Sequence, residues 1–118
     1  MTPGRLDRLI YQGATFRRIL RLQDRLGAAI DLTGCIVRMQ IRQAITDALP
    51  LIDLTETNNR AIITDATNGE ITLTIEAEDS ASLDFVKGFY DVEVEYSDGT
   101  VDRVLEGKVK LSKEVTRP

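Results

Sequence analysis

The chain of 118 residues contains no histidine, no tryptophan, one cysteine and three prolines. Without His, neither a Ser-His nor a Cys-His nucleophile pair can be built. Zinc patterns of clustered Cys and His are excluded, as is any disulfide within the chain. Cys35, between Gly34 and Ile36 at the head of an apolar segment, reads as a small buried hydrophobe with no chemistry of its own. No apolar run approaches the ~18 residues of a membrane span. Met1 leads straight into Thr2-Pro3-Gly4-Arg5, which predicts no secretory signal and synthesis in a reducing cytoplasm. What is present is 42% hydrophobic and 29% charged side chains, a balance that disfavours disorder and suits one domain with one core.

The net charge of −4 hides a division. Residues 1–42 hold eight Arg against three acidic side chains, a net of +5, whereas residues 43–118 hold seven basic against sixteen acidic ones, a net of −9. Alternation with a period of two, the mark of half-buried strands, runs through both halves. It predicts strands over Thr15–Gln23 and Cys35–Arg42, short strands over Leu51–Thr55 and Ala61–Thr64, and longer ones over Glu70–Glu76, Gly88–Tyr96 and Val101–Leu111. Asn68-Gly69 and Asp98-Gly99 supply hairpin chemistry, the first as a type I′ turn, since both its central residues favour positive φ. Gln43–Leu49, ending at Pro50, predicts a loop or exposed edge, and the Ala, Glu and Leu content of Ala77–Phe85 predicts one or two helical turns.

About seven strands with so little helix predict an all-β fold, an immunoglobulin-like antiparallel sandwich, with a small β-barrel as the alternative. Residues 1–13 read as an N-terminal arm, 14–112 as the sandwich and 113–118 as a C-terminal tail.

Placing the strands sorts the charges. In the first strand Phe16, Leu20 and Leu22 share a face, Arg17, Ile19, Arg21 and Gln23 share the other, and Arg18 is a misfit on the apolar side. In the second, Arg38 and Arg42 lie opposite an apolar face. Centring the last hairpin on Asp98-Gly99 sets Tyr96 against Val101, Glu95 against Asp102, Glu93 against Val104 and Asp91 against Glu106. Two like-charge pairs result, each unfavourable by up to about 1 kcal/mol unless a basic surface covers them. Arg17, Arg21, Arg38 and Arg42 are the expected cover for Asp91, Glu93, Glu95, Asp102 and Glu106, either beside the hairpin in one sheet or from a neighbouring subunit. The second arrangement, head-to-tail contact between copies with residues 1–13 lying on a neighbour, is the expectation. These nine residues form the candidate protein interface; no catalytic, cofactor-binding or metal-binding residue is assigned. Nucleic acid is a poor match, since the domain is acidic and no aromatic side chain is interleaved with the Arg residues. A calcium loop would need ligand spacing that the acidic segments lack, and paired carboxylates without Trp are unspecific for glycan cleavage.

Several segments, taken in order, resemble those of small tailed-bacteriophage structural proteins, especially the N-terminal attachment domain of siphophage upper baseplate proteins. They are Gly13-Ala14-Thr15-Phe16, Ile30-Asp31-Leu32-Thr33-Gly34, Arg38-Met39-Gln40-Ile41-Arg42, Asn68-Gly69-Glu70-Ile71, Gly88-Phe89-Tyr90-Asp91-Val92-Glu93, Asp98-Gly99-Thr100-Val101, Leu105-Glu106-Gly107-Lys108-Val109 and Glu114-Val115-Thr116-Arg117. The resemblance implies a non-enzymatic virion component of the tail or baseplate that helps mount fibres or receptor-binding proteins. Its partners would be copies of itself in a symmetric assembly and other phage tail or baseplate proteins, with no nucleic acid, membrane or cofactor. Because the chain stops at Pro118 without a fibre region, the expectation is a free-standing adaptor. A head decoration or neck protein, and a monomeric carbohydrate- or cation-binding module, are the alternatives.

Overall fold

The period-two pattern is realised as strands on both sides of one apolar core. The computed structural model describes residues 3–117. Its strands are β1 (Gly4–Arg5), β2 (Arg8–Tyr11), β3 (Phe16–Arg21), β4 (Ile36–Arg42), β5 (Ile52–Leu54), β6 (Ala61–Asp65), β7 (Glu70–Ile75), β8 (Lys87–Glu95) and β9 (Val101–Ser112), with one helix, α1 (Ala77–Ala81). They form two sheets. One runs β1-β9-β8-β4-β5, with β2 also on β9, and the other runs β3-β7-β6. Val37, Met39 and Ile41 of β4 and Tyr90, Val92 and Val94 of β8 point into the core from the first sheet, and Phe16 of β3 with Ile71, Leu73 and Ile75 of β7 meet them from the second. Each of these aliphatic side chains contributes about 1.5–3 kcal/mol by leaving water. The alternation therefore fixes which face of each strand is left for charge. The two sheets stay separate as hydrogen-bonded sets, so the layered sandwich replaces the barrel alternative.

The N-terminal segment corrects an expectation. Residues 4–11, read as an arm lying on a neighbour, are the edge of the larger sheet in their own chain, with Gly4 beside Leu105 and Arg8 beside Val109 in parallel register. Ile10, at 1% exposure, is part of the core. The Tyr90 hydroxyl donates to the Leu6 carbonyl, and the missing side chain of Gly107 makes room for it: a Cβ there would stand 2.2 Å from the Leu6 oxygen. The tail is also engaged. The Lys113 ammonium meets Asp84, and the Glu114 amide donates to the Gln12 side chain at 2.9 Å.

The last hairpin differs from expectation by one residue. Its loop is Ser97-Asp98-Gly99, closed by the Tyr96 amide on the Thr100 carbonyl at 2.8 Å, with Gly99 at φ 89° and Asp98 accepting from the Thr100 amide at 2.9 Å. Glu95 consequently opposes Val101, Val94 opposes Asp102 and Glu93 opposes Arg103. A bulge between Val92 and Glu93 absorbs Val104 as an extra residue and restores the expected Asp91–Glu106 pairing beyond it. The Glu95–Asp102 repulsion is thus removed, and Asp102 lies off the acidic face. Asn68-Gly69 is not a type I′ turn either, because only Gly69 has positive φ, at 68°. That glycine is required: a Cβ would stand 2.6 Å from the Leu22 carbonyl and 2.8 Å from that of Ile30.

Candidate functional site

Two surfaces carry the residues that the alternation leaves outside the core. The first is the outer face of the larger sheet. β4 lies directly beside β8, which puts Arg38 opposite Glu93 and between the two carboxylates that flank it. Its Nε donates to Glu93 Oε1 at 3.0 Å and its Nη1 to Glu95 Oε1 at 3.2 Å. These bonds hold the guanidinium proton more firmly than usual. On the other side of β8, Arg103 lies 3.3 Å from Asp91 Oδ2 and 3.5 Å from Glu106 Oε1, and Arg5 of β1 approaches Glu106 at 3.7 Å. Arg42 donates to Gln40 Oε1 and to the Asp47 carbonyl, each at 2.7 Å, and Gln40 donates to Asp53 at 3.1 Å.

The acidic surface is therefore covered by basic residues of its own chain. For Arg38 the fold builds the other of the two expected arrangements, cover from the adjacent strand, and its donors are engaged within the chain. A cleft of about 420 Å³ opens on this face, walled by Arg5, Arg42, Ile45, Phe89, Asp91 and Arg103. Burial pushes the Asp91 carboxyl up from its ordinary value; Arg103 opposes the shift, and Glu93 and Glu106 add to it. Arg103 escaped the sequence reading because simple alternation puts it on the apolar side of its strand, and the bulge turns it over.

The second surface is the outer edge of β3. Arg21 pairs with Glu70 at 3.0 Å, again within the chain and not with the carboxylates expected. Arg17 makes no ion pair among the described residues. Arg18, the misfit of the alternation, folds back with its guanidinium 4.7 Å from the Phe16 ring centre and donates to the Arg17 carbonyl at 2.8 Å. Ile19, between them, is 56% exposed.

The backbone of β3 is engaged on one side only. The Leu22 amide donates to Gly69 at 2.8 Å, and on β7 the Thr74 amide donates towards β6, to Arg60, also at 2.8 Å. In an antiparallel ladder with this register, positions 16, 18 and 20 exchange bonds with β7, and positions 17, 19 and 21 direct their N–H and C=O groups the other way. Apart from the Arg17 carbonyl, held by Arg18, those groups have no hydrogen-bond partner among the described residues.

Of the nine candidate interface residues, the fold brings together Arg38, Arg42, Asp91, Glu93, Glu95 and Glu106 on one face, sets Arg17 and Arg21 on the opposite sheet, and leaves Asp102 beside Tyr96, inside the end of the hairpin. Among the described residues no group of three or more His, Cys, Asp or Glu side chains is placed to hold a metal ion.

The architecture is that of an immunoglobulin-like β-sandwich. Among solved structures, the chain is similar to the Ig-like domain of mouse leukocyte-associated immunoglobulin-like receptor 1, crystallised as a strand-swapped dimer. The TM-score is 0.50 at 16% identity, over 93% of this chain and 90% of that one. At that identity the likeness concerns the fold. No protein-family model matches this chain, and no curated protein matches it in sequence.

Proposed function

We propose that this protein is a non-enzymatic structural adaptor of a bacteriophage virion, placed in the tail or baseplate, that works through protein contacts and helps mount fibres or receptor-binding proteins. The observation that carries the contact role is the uncovered edge of β3, where unpaired main-chain groups, an exposed Ile19 and the Arg17 and Arg18 guanidiniums lie together. Edges of this kind are normally blunted or covered, because they template pairing with another chain. On the larger sheet the long strand β9 is not the edge, because the short strands β1 and β2, of two and four residues, lie beside it. The phage assignment is supported by the ordered set of segments resembling siphophage baseplate attachment domains. Partners are other tail or baseplate proteins and, in a symmetric assembly, further copies of the chain.

Immunogold labelling of purified particles with antibodies against this protein tests the reading. Label at the tail tip or baseplate is expected. Label on the head or neck moves the adaptor to another part of the virion, and particles free of the protein overturn the assignment.

A further inference from the structure

We infer that the free edge of β3 accepts an extended, acidic segment of a partner protein as an additional strand. This rests on the protein-contact reading above and names the chemistry of the contact. In a seven-stranded immunoglobulin-like sandwich the sheet that holds the second strand ordinarily has the first strand beside it. Here the N-terminal strands β1 and β2 pair with β9 in the opposite sheet, and the second sheet is reduced to β3-β7-β6. The position next to β3 is therefore vacant by topology, and three residues, Arg17, Ile19 and Arg21, offer it main-chain groups at alternate positions.

The side chains decide the occupant. Arg17, Ile19 and Arg21 stand on the outer face of this sheet, so the incoming strand meets basic, apolar and basic positions in turn. Arg18 adds a third guanidinium at the core-side rim, where it lies over a ring face, donates to a backbone carbonyl and makes no ion pair among the described residues. A strand with carboxylates four residues apart on that face matches the row through cross-strand ion pairs, one to Arg17 and one to Arg21, which it would share with Glu70. A second copy of β3 does not. In a two-fold antiparallel pairing centred on Arg18, Arg18 opposes itself. In one centred on Ile19, Arg17 opposes Arg21. Both fully overlapped registers place like charges opposite each other. The acidic strand β8 of another copy is already held on both sides, by β4 and β9, and cannot serve.

The test uses the full chain and a short fluorescein-labelled peptide of alternating Glu and Val, read by fluorescence anisotropy. The comparison peptides are the same sequence N-methylated at every second residue and an alternating Lys-Val peptide. Binding of the Glu-Val peptide alone is expected, falling as salt is raised. Ile19→Pro removes an outward N–H without touching the β7 ladder, as proline on an edge allows, and should weaken binding at least about tenfold. The pair Arg17→Glu with Arg18→Glu should do the same, and both variants should keep the parent circular dichroism spectrum. If Ile19→Pro misfolds, the N-methylated peptide answers the same question from the other side.

Failure of the Glu-Val peptide to bind, equal binding of the N-methylated peptide, or unchanged binding by either folded variant overturns the proposal, as does concentration-dependent dimerisation that Ile19→Pro abolishes. The two readings fail separately. Virions that incorporate Ile19→Pro at parent levels keep the adaptor and sink the strand addition; peptide binding that behaves as expected in a protein absent from virions does the reverse.

Discussion

Arg38 and Arg17 occupy equivalent places in their strands' alternation, each on the outward face near the middle of a basic segment, yet they end in opposite situations. Arg38 lies between two strands of a closed ladder and spends its donors on Glu93 and Glu95. Arg17 lies on a strand with one neighbour and makes no ion pair among the described residues. The lesson is that a surface charge acquires its role from what the topology lays beside it. The imbalance between the two halves of the chain is consumed where β4 meets β8, and it survives on β3.

The same contrast holds between the outer side of β3, left open, and that of β9, occupied by β1 and β2, and breaking the occupied one should have the largest effect. Gly107→Ala puts a methyl group into the Leu6 carbonyl and against Tyr90. Overpacking of this kind costs about 1–3 kcal/mol. It should release residues 4–11 from β9, seen as a lower urea midpoint and as proteolytic cleavage within that segment, and so leave the long strand β9 as an open edge. Parent-like stability and protease resistance would mean that the N-terminal strands are not held through this approach.

Charge reversal should then separate the two arginines. Arg38→Glu sets a third carboxylate between Glu93 and Glu95 and removes two charge-assisted bonds. Its cost in urea unfolding should be about 1–2 kcal/mol, tempered by partial exposure. Arg17→Glu should stay within about 0.5 kcal/mol of the parent, as exposed substitutions without partners do. Equal effects would erase the distinction between a structural and a free guanidinium.

The smallest effect concerns Asp91. Its pKa is raised in the folded protein by burial, so the folded state binds this proton more firmly than the unfolded chain, whose value is 3.8. The stability it supplies is full below that value and is lost as pH rises through the folded pKa. Asp91→Asn, which cannot ionise, should therefore match the parent near pH 3 and slightly exceed it at neutral pH, by a margin that solvent screening of this partly exposed carboxyl keeps small. The opposite sign would make the Arg103 contact the stronger influence on this carboxyl.

The strands were legible because one face of each is buried: Val37, Met39 and Ile41 in β4, and Tyr90, Val92 and Val94 in β8, could not slip by one residue without exposing the core. The short helix and the loop before Pro50 were legible from composition. Cross-strand partners were not, because they depend on features that alternation does not carry. A three-residue hairpin loop shifted the register, the Val104 bulge restored it, and Arg103 changed faces between them. The N-terminal strands escaped notice because Arg8-Leu9-Ile10-Tyr11 buries only one large apolar side chain fully, and its partner, β9, is about a hundred residues away. Arg18 was visible as a misfit in the sequence, and the fold supplies the reason: at an open edge, a charged side chain on the inward face can bend out over a neighbouring ring.

The central claim is that β3 presents an unpartnered main chain. Residue-resolved amide hydrogen exchange on the isolated protein at low concentration measures it directly. Arg18 and Leu20, bonded to β7, should be protected, and Arg17, Ile19 and Arg21 should exchange at rates near those of exposed loops. Protection of all five to the same degree would show that the edge is already covered, and would contradict the account.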